Sequence, residues 1–270
     1  MSSVEAAAEQ RRHRGTCVLC QKDAELRISH VIPNAIFRGI KRENSGKMIT
    51  FDDAPEGDID TTINSWSERL LCGACEMLVG RCEKVFFDTM RSTRSAVRRA
   101  HPAGVTFQAI NHAALKLFFM SLLWRAAVSV QEVYSKVWLE ASLKERLRTL
   151  LLAQQAAPAR LFGVRVSILT DTTRSQERRL TSAELKQISI SPFDRQHARS
   201  VSFVFVLEGY LAEIFVPRVT PEQVRAPGLL PSAGIWFVPF LDTFEVEELV
   251  RAFVAGVAKD MAAQALKTER

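Results

Sequence analysis

The sequence has no uninterrupted apolar run long enough to cross a bilayer, which needs about 20 mostly apolar residues. Its most apolar stretch, Ala113 to Val130, is broken by Lys116 and Arg125. It reads as a buried core helix, and no membrane association is expected. Met1 to Gln10 lacks the apolar centre of a secretory signal. A cytoplasmic, reducing location is therefore expected, where five cysteines do not form a disulfide framework. Neither a Gly-x-x-x-x-Gly-Lys-Ser/Thr loop, a Gly-x-Gly-x-x-Gly turn nor a Gly-x-Ser-x-Gly elbow occurs. This excludes the common nucleotide-phosphate loops, the dinucleotide fold and the hydrolase nucleophile turn. Internal repeats and low-complexity segments are missing as well.

What remains is an ordinary globular composition: 270 residues, 47% hydrophobic and 24% charged, with a formal charge of +6 and a pI near 9.2. The basic excess is mild, a bias toward polyanionic partners. A strand is expected over Ala24 to Ser29, followed by an irregular loop or hairpin over Lys41 to Asn64, rich in Gly, Asp and Asn. From Leu70 the pattern turns helical, with Leu78, Cys82, Val85 and Phe86 on one face. His101-Pro102-Ala103-Gly104 breaks that helix and marks a boundary between residues 1–104 and 105–270. Helices follow over Ile110 to Gln131 and Glu140 to Gln155. Then come alternating strands over Leu161 to Thr170 and Val201 to Val216, the latter turning at Glu208-Gly209. Ile235 to Phe240 adds a strand, and Glu245 to Leu266 closes the chain as an amphipathic helix. The fold class is α+β: an N-terminal metal module, a helical middle, and a C-terminal antiparallel sheet with a closing helix.

Two Cys-x-x-Cys pairs, Cys17/Cys20 and Cys72/Cys75, supply four thiolates for a tetrahedral Zn2+ ion. The two-residue spacer turns both sulfurs of a pair toward one ion. The second pair opens a helix, whose N-terminus favours the thiolates. Knuckle, hairpin and helix in that order make a treble clef. The alternative is four reduced, buried cysteines. Cys82 falls on the apolar face and reads as core.

These pieces resemble the zinc-bearing HNH endonucleases, the His-Me finger or ββα-metal family. The resemblance rests on Cys17-Val18-Leu19-Cys20, Ser29-His30-Val31-Ile32-Pro33 and Leu71-Cys72-Gly73-Ala74-Cys75-Glu76, within residues 15–90. It implies that His30 is the general base activating a water toward a phosphodiester, and that Glu76 takes the place of a ligand to a catalytic Mg2+ or Mn2+. Ser29 stands where a metal-binding Asp is common. Ser67 stands where an Asn is expected, with Asn64 one turn away. Against these roles, His30 can serve as a hydrogen-bonding residue of the hairpin and Glu76 as a carboxylate complementing a helix dipole. Glu83 reads as solvated.

Arg81, Lys84, Arg91, Arg94 and Arg98 recur at helical spacing, and Arg11, Arg12 and Arg14 form a basic arm. Such residues track nucleic-acid phosphates or form a solvated face. His112 and His197 have no spaced partner and read as structural. Three functions fit. One is an HNH-like metal-dependent endonuclease. The second is a catalytically degenerate zinc module that binds nucleic acid or a protein without cutting. The third is an unrelated role for residues 105–270, including contact with a protein partner, with the main pocket between sheet and helices.

Overall fold

The computed structural model of the protein describes residues 13–43, 48–51, 59–62, 66–174, 179–198 and 200–254. Arg11, Arg12 and Asn64, and the part of the closing helix expected beyond residue 254, lie outside them.

The first described elements are a short strand, β1 (Arg14–Thr16), a turn through residues 17–20, and β2 (Asp23–His30). Helix α1 (Asn34–Glu43) follows, then a hairpin of β3 (Met48–Phe51) and β4 (Ile59–Thr62). Of the two forms expected for the 41–64 segment, the hairpin is the one present. Next come β5 (Ser67–Cys72) and α2 (Gly73–Met90). The helical pattern expected from Leu70 therefore starts three residues late, because Leu70 to Cys72 complete a strand. Strands β1, β2 and β5 form an antiparallel sheet, with a bulge in β2 between Arg27 and Ile28.

Helix α2 ends at Met90, ahead of the expected break. Residues 101–104 instead form the turn between β6 (Arg98–His101) and β7 (Gly104–Phe107). Helices α3 (His112–Val128) and α4 (Ala141–Leu152) come next. The remaining elements are β8 (Gly163–Thr170), α5 (Ser182–Leu185), β9 (Ser189–Ile190), β10 (Phe193–His197), β11 (Ser200–Leu207), β12 (Tyr210–Val216), α6 (Pro221–Arg225), β13 (Trp236–Asp242) and α7 (residues 247–254).

Seven strands form the large sheet in the order β10-β11-β12-β8-β13-β7-β6. Two features depart from the sequence reading. The sheet is mixed, since β13 runs parallel to β8. It also extends across the expected 104/105 boundary, because β7 pairs with β13 and β6 with β7. The β11–β12 turn is as expected: Glu208 and Gly209 both have positive φ (51° and 76°), the two-residue geometry that matches strand twist.

The sheet buries apolar side chains on both faces, which is why β11 and β12 are apolar at most successive positions. One face carries Phe203, Phe205, Tyr210, Ala212 and Ile214 into a continuous core shared with α2, α3 and α4. The other carries Val204, Val206 and Leu211 against Val246, Leu249 and Ala252 at the start of α7. Helix α3 is buried on every side from Leu117 to Ala126, which is why its sequence is apolar all round. No helix among the described residues is long and apolar enough to cross a membrane.

Candidate metal centre and adjoining polar site

The turn after β1 is held by backbone bonds. Cys17 N–H donates to the Lys22 carbonyl at 3.0 Å, and Gln21 N–H donates to the Cys17 carbonyl at 2.8 Å. Val18 N–H donates to the Leu70 carbonyl at 3.1 Å, which docks the turn on β5. Cys72 ends β5 and caps α2, and Cys75 lies one turn on. This local folding brings four distant residues together: the sulfurs of Cys17, Cys20, Cys72 and Cys75 all lie within 4.8 Å of one another. The Cys20 and Cys72 sulfurs are 3.8 Å apart. Four thiolates around one ion at about 2.3 Å per bond stand about 3.8 Å apart, the separation found for the Cys20 and Cys72 sulfurs. The four cysteines are positioned to hold one metal ion.

Protonation is uneven across the cluster. Burial raises the Cys17 thiol, but backbone N–H groups, including that of Cys72 at 3.3 Å, outweigh it and bring it down to about 7. Burial and the neighbouring sulfurs push Cys75 far up. An ion bound by all four sulfurs supplies the positive charge that lets them ionise together. Cys82 is buried outside the cluster, 3.9 Å from the Gln154 side-chain oxygen, and is core as expected.

Beside this centre lies a second group of polar side chains. Ser29 is buried; its hydroxyl accepts from the Leu71 N–H at 3.2 Å and donates to Glu76 Oε1. His30 is half-buried at the end of β2, opposite Ser67, with its ring tilted against Phe37 at 6.4 Å. Two turns beyond Glu76 on α2, Glu83 accepts from Arg125 Nη2 at 2.8 Å. Arg125, on α3, is 1% exposed and also donates to the His30 carbonyl. Burial raises the Glu76 carboxyl, while the Ser29 hydroxyl and the Arg125 charge oppose the rise.

The sequence placed Ser29, His30 and Glu76 in this region; the fold joins the Ser29 hydroxyl to Glu76, while the His30 ring lies toward Phe37. It read Glu83 as solvated, but Glu83 is the partner of a buried guanidinium. The signal for that pair was an arginine inside an apolar helix, since a charge there is almost never buried without a partner. Among the described residues, the four cysteines are the only group of three or more Cys, His, Asp or Glu side chains arranged around one possible ion.

The basic residues do not share one helix. Arg81 and Lys84 are exposed on α2, Lys84 paired with Asp88. Arg91 caps α2, lies over the Phe87 ring at 4.1 Å and makes a two-pronged ion pair with Glu208. Arg94 is exposed in the following loop, and Arg98 is half-buried in β6. Arg14 pairs with Asp23 at 2.7 Å.

A further network, on the large sheet, has no local signature in the sequence. Buried Glu213 accepts from Arg165 and, at 2.7 Å, from the Ser202 hydroxyl; Ser202 also contacts His197 at 2.8 Å. Arg195 links the group to Glu248 of α7 at 2.7 Å. Ser202 donates to the carboxylate instead of to the imidazole, so this is a satisfied structural network, and His197 is structural as expected. His112 bonds the Gly234 carbonyl at 2.9 Å.

No family model, curated protein or solved structure matches this chain. Fold and site therefore define its class: a mixed α+β protein with a four-cysteine centre where a small sheet meets a helix.

Proposed function

We propose that residues 15–90 form a zinc-folded, HNH-like treble clef that binds nucleic acid without cutting it, in the cytoplasm. Zinc is the ion that fits four soft thiolates in a tetrahedral set. The order of turn, strand pair and helix, with His30 ending β2 and Glu76 following the second cysteine pair, supports the family likeness.

One observation carries the non-cutting reading. The Arg125 guanidinium lies between Glu83 and the His30 carbonyl and acts on the Glu76 carboxyl, which also receives the Ser29 hydroxyl. A divalent ion binding Glu76 in that space would meet a fixed positive charge. Mg2+ also requires a near-octahedral set of oxygens, which a hydroxyl in place of an aspartate does not provide. The exposed Arg81, Lys84 and Arg94 are the phosphate contacts of this reading, with Arg91 at their edge.

The endonuclease reading keeps one favourable observation: Ser29, the neighbour of His30 on β2, is hydrogen-bonded to Glu76. Its chemistry would have His30 accept a proton from water and Glu76 hold Mg2+ or Mn2+. The test is a binding titration and a cleavage assay on the same DNA and RNA substrates with Mg2+, Mn2+ and Ni2+. The expected outcome is salt-dependent binding with no cleavage. Replacing Arg81, Lys84 and Arg94 together should flatten the salt dependence of log K by about 2 to 3 for three lost phosphate contacts. Cleavage that disappears in His30→Ala, with binding retained, would establish the enzyme instead.

A further inference from the structure

A cavity of about 540 Å3 lies at the far end of α2 from the cysteines, between the C-terminus of that helix and the large sheet. Its volume is in the range of small-molecule sites. Ile168 of β8, Leu185 of α5, Phe240 of β13 and the ring of Tyr210 make an apolar lining. Arg98 enters from β6 and Lys186 from the end of α5.

The charges in this lining are unbalanced. Arg91 and Glu208, which also line the cavity, satisfy each other. Arg98 and Lys186 form no ion pair among the described residues. The Arg98 guanidinium lies beside the Tyr210 hydroxyl, which itself donates to the Met90 carbonyl at 3.0 Å. Arg98 Nε is buried without a hydrogen-bond partner among the described residues. A guanidinium on the wall of a cavity, with no carboxylate of its own, is a strong element of recognition for a carboxylate or phosphate, because such bonds are charge-assisted. The apolar walls suit the rest of a ligand larger than the anionic group.

We propose that this cavity binds a small amphipathic organic anion, its carboxylate or phosphate on Arg98 and Lys186 and its apolar body against Tyr210, Phe240 and Leu185. This goes beyond the nucleic-acid reading and does not depend on it.

The test is calorimetric titration of the full-length protein with 1-naphthyl phosphate, 1-naphthoate and inorganic phosphate. Saturable one-to-one binding of a naphthyl probe is expected, with inorganic phosphate at least ~10-fold weaker because it leaves the apolar walls unfilled. Which naphthyl probe binds tighter identifies the anionic group. Arg98→Gln should weaken the better probe by ~10-fold or more, the usual scale for losing a charge-assisted bond. Lys186→Gln, at an exposed position that leaves the fold intact, should weaken it less. No saturable binding of either naphthyl probe at millimolar concentration would overturn the proposal. So would affinity unchanged in both variants, or phosphate binding as tightly as its naphthyl ester. None of these outcomes reads nucleic-acid binding or the metal centre, so the reading of residues 15–90 stands or falls separately.

Discussion

The two ends of α2 share one apolar core but differ in what is added to it. At its start, strands of three to eight residues and one turn surround four sulfurs. At its end, a seven-stranded sheet buries side chains on both faces. The first region adds four clustered sulfurs and a buried ion pair to that core, an arrangement that an ion held by the sulfurs would complete. The second depends on apolar area and keeps its strength without one. On the proposed zinc reading, the difference teaches that a region joined to a common core can still have its own removable source of stability.

The largest effect expected is the loss of that source alone. Structural zinc supplies about 10–16 kcal/mol of apparent binding free energy in small domains. That matches or exceeds the whole stability of a typical domain. Cys72→Ser, or a strong chelator, should therefore abolish hydrogen-exchange protection in β1, β2 and β5 while β11 and β12 stay protected. Simultaneous loss in both regions would show that the comparison fails and that the chain is held as one cooperative unit.

Next in size is the reverse experiment. Phe205 is fully buried in β11. Phe205→Ala should cost about 3–5 kcal/mol through lost contacts and the cavity left behind. Denaturant unfolding should show that cost, and elemental analysis should find the metal content unchanged.

The Arg125–Glu83 pair joins the two regions, and its variant is expected to cost somewhat less. Glu83→Gln leaves a 1% exposed guanidinium without its counter-charge. Removing one partner of a buried pair typically costs about 3–5 kcal/mol. The His30 carbonyl still accepts from Arg125, so a value near 3 kcal/mol is expected. Arg125→Met combined with Glu83→Gln should recover part of the loss in a double-mutant cycle.

The smallest effect concerns Lys116 on α3, whose ammonium burial pushes down to about 8 from an ordinary value of 10.5. The unfolded chain therefore binds more protons between those values, and this lysine makes stability rise as pH increases from about 8 to 10.5. Lys116→Met should remove that rise. It should also lift Tm at pH 7 by a few degrees, about what ~1 kcal/mol produces in a chain of this size.

What the sequence made legible follows the range of the interaction. The cysteine pairs, the long helices and the Glu208-Gly209 turn are set by neighbours a few residues apart, and each stands where its spacing placed it. Leu70 to Cys72 end β5 where the sequence suggests the start of a helix, because Leu70 and Leu71 fit either period. Only pairing with β2, between partners 37 to 46 residues apart, decides between them. The β6–β7 hairpin was read as a boundary because His-Pro-Ala-Gly breaks a helix and turns a hairpin equally well. The parallel pairing of β13 with β8, the Arg125–Glu83 contact and the Arg98 cavity join residues with no local pattern linking them. In the candidate site, the thiol set was legible because both halves are local motifs. The engagement of Glu76 and Glu83 was not, because Ser29 and Arg125 reach them from other elements.

The most direct test of the account is the metal content of the intact, folded chain, measured by native mass spectrometry together with thiol titration before and after chelation. About one zinc per chain is predicted, with Cys17, Cys20, Cys72 and Cys75 shielded from a thiol reagent until the ion is removed. A well-folded chain that carries no metal, with those four thiols freely reactive and β1, β2 and β5 still protected from exchange, would contradict it.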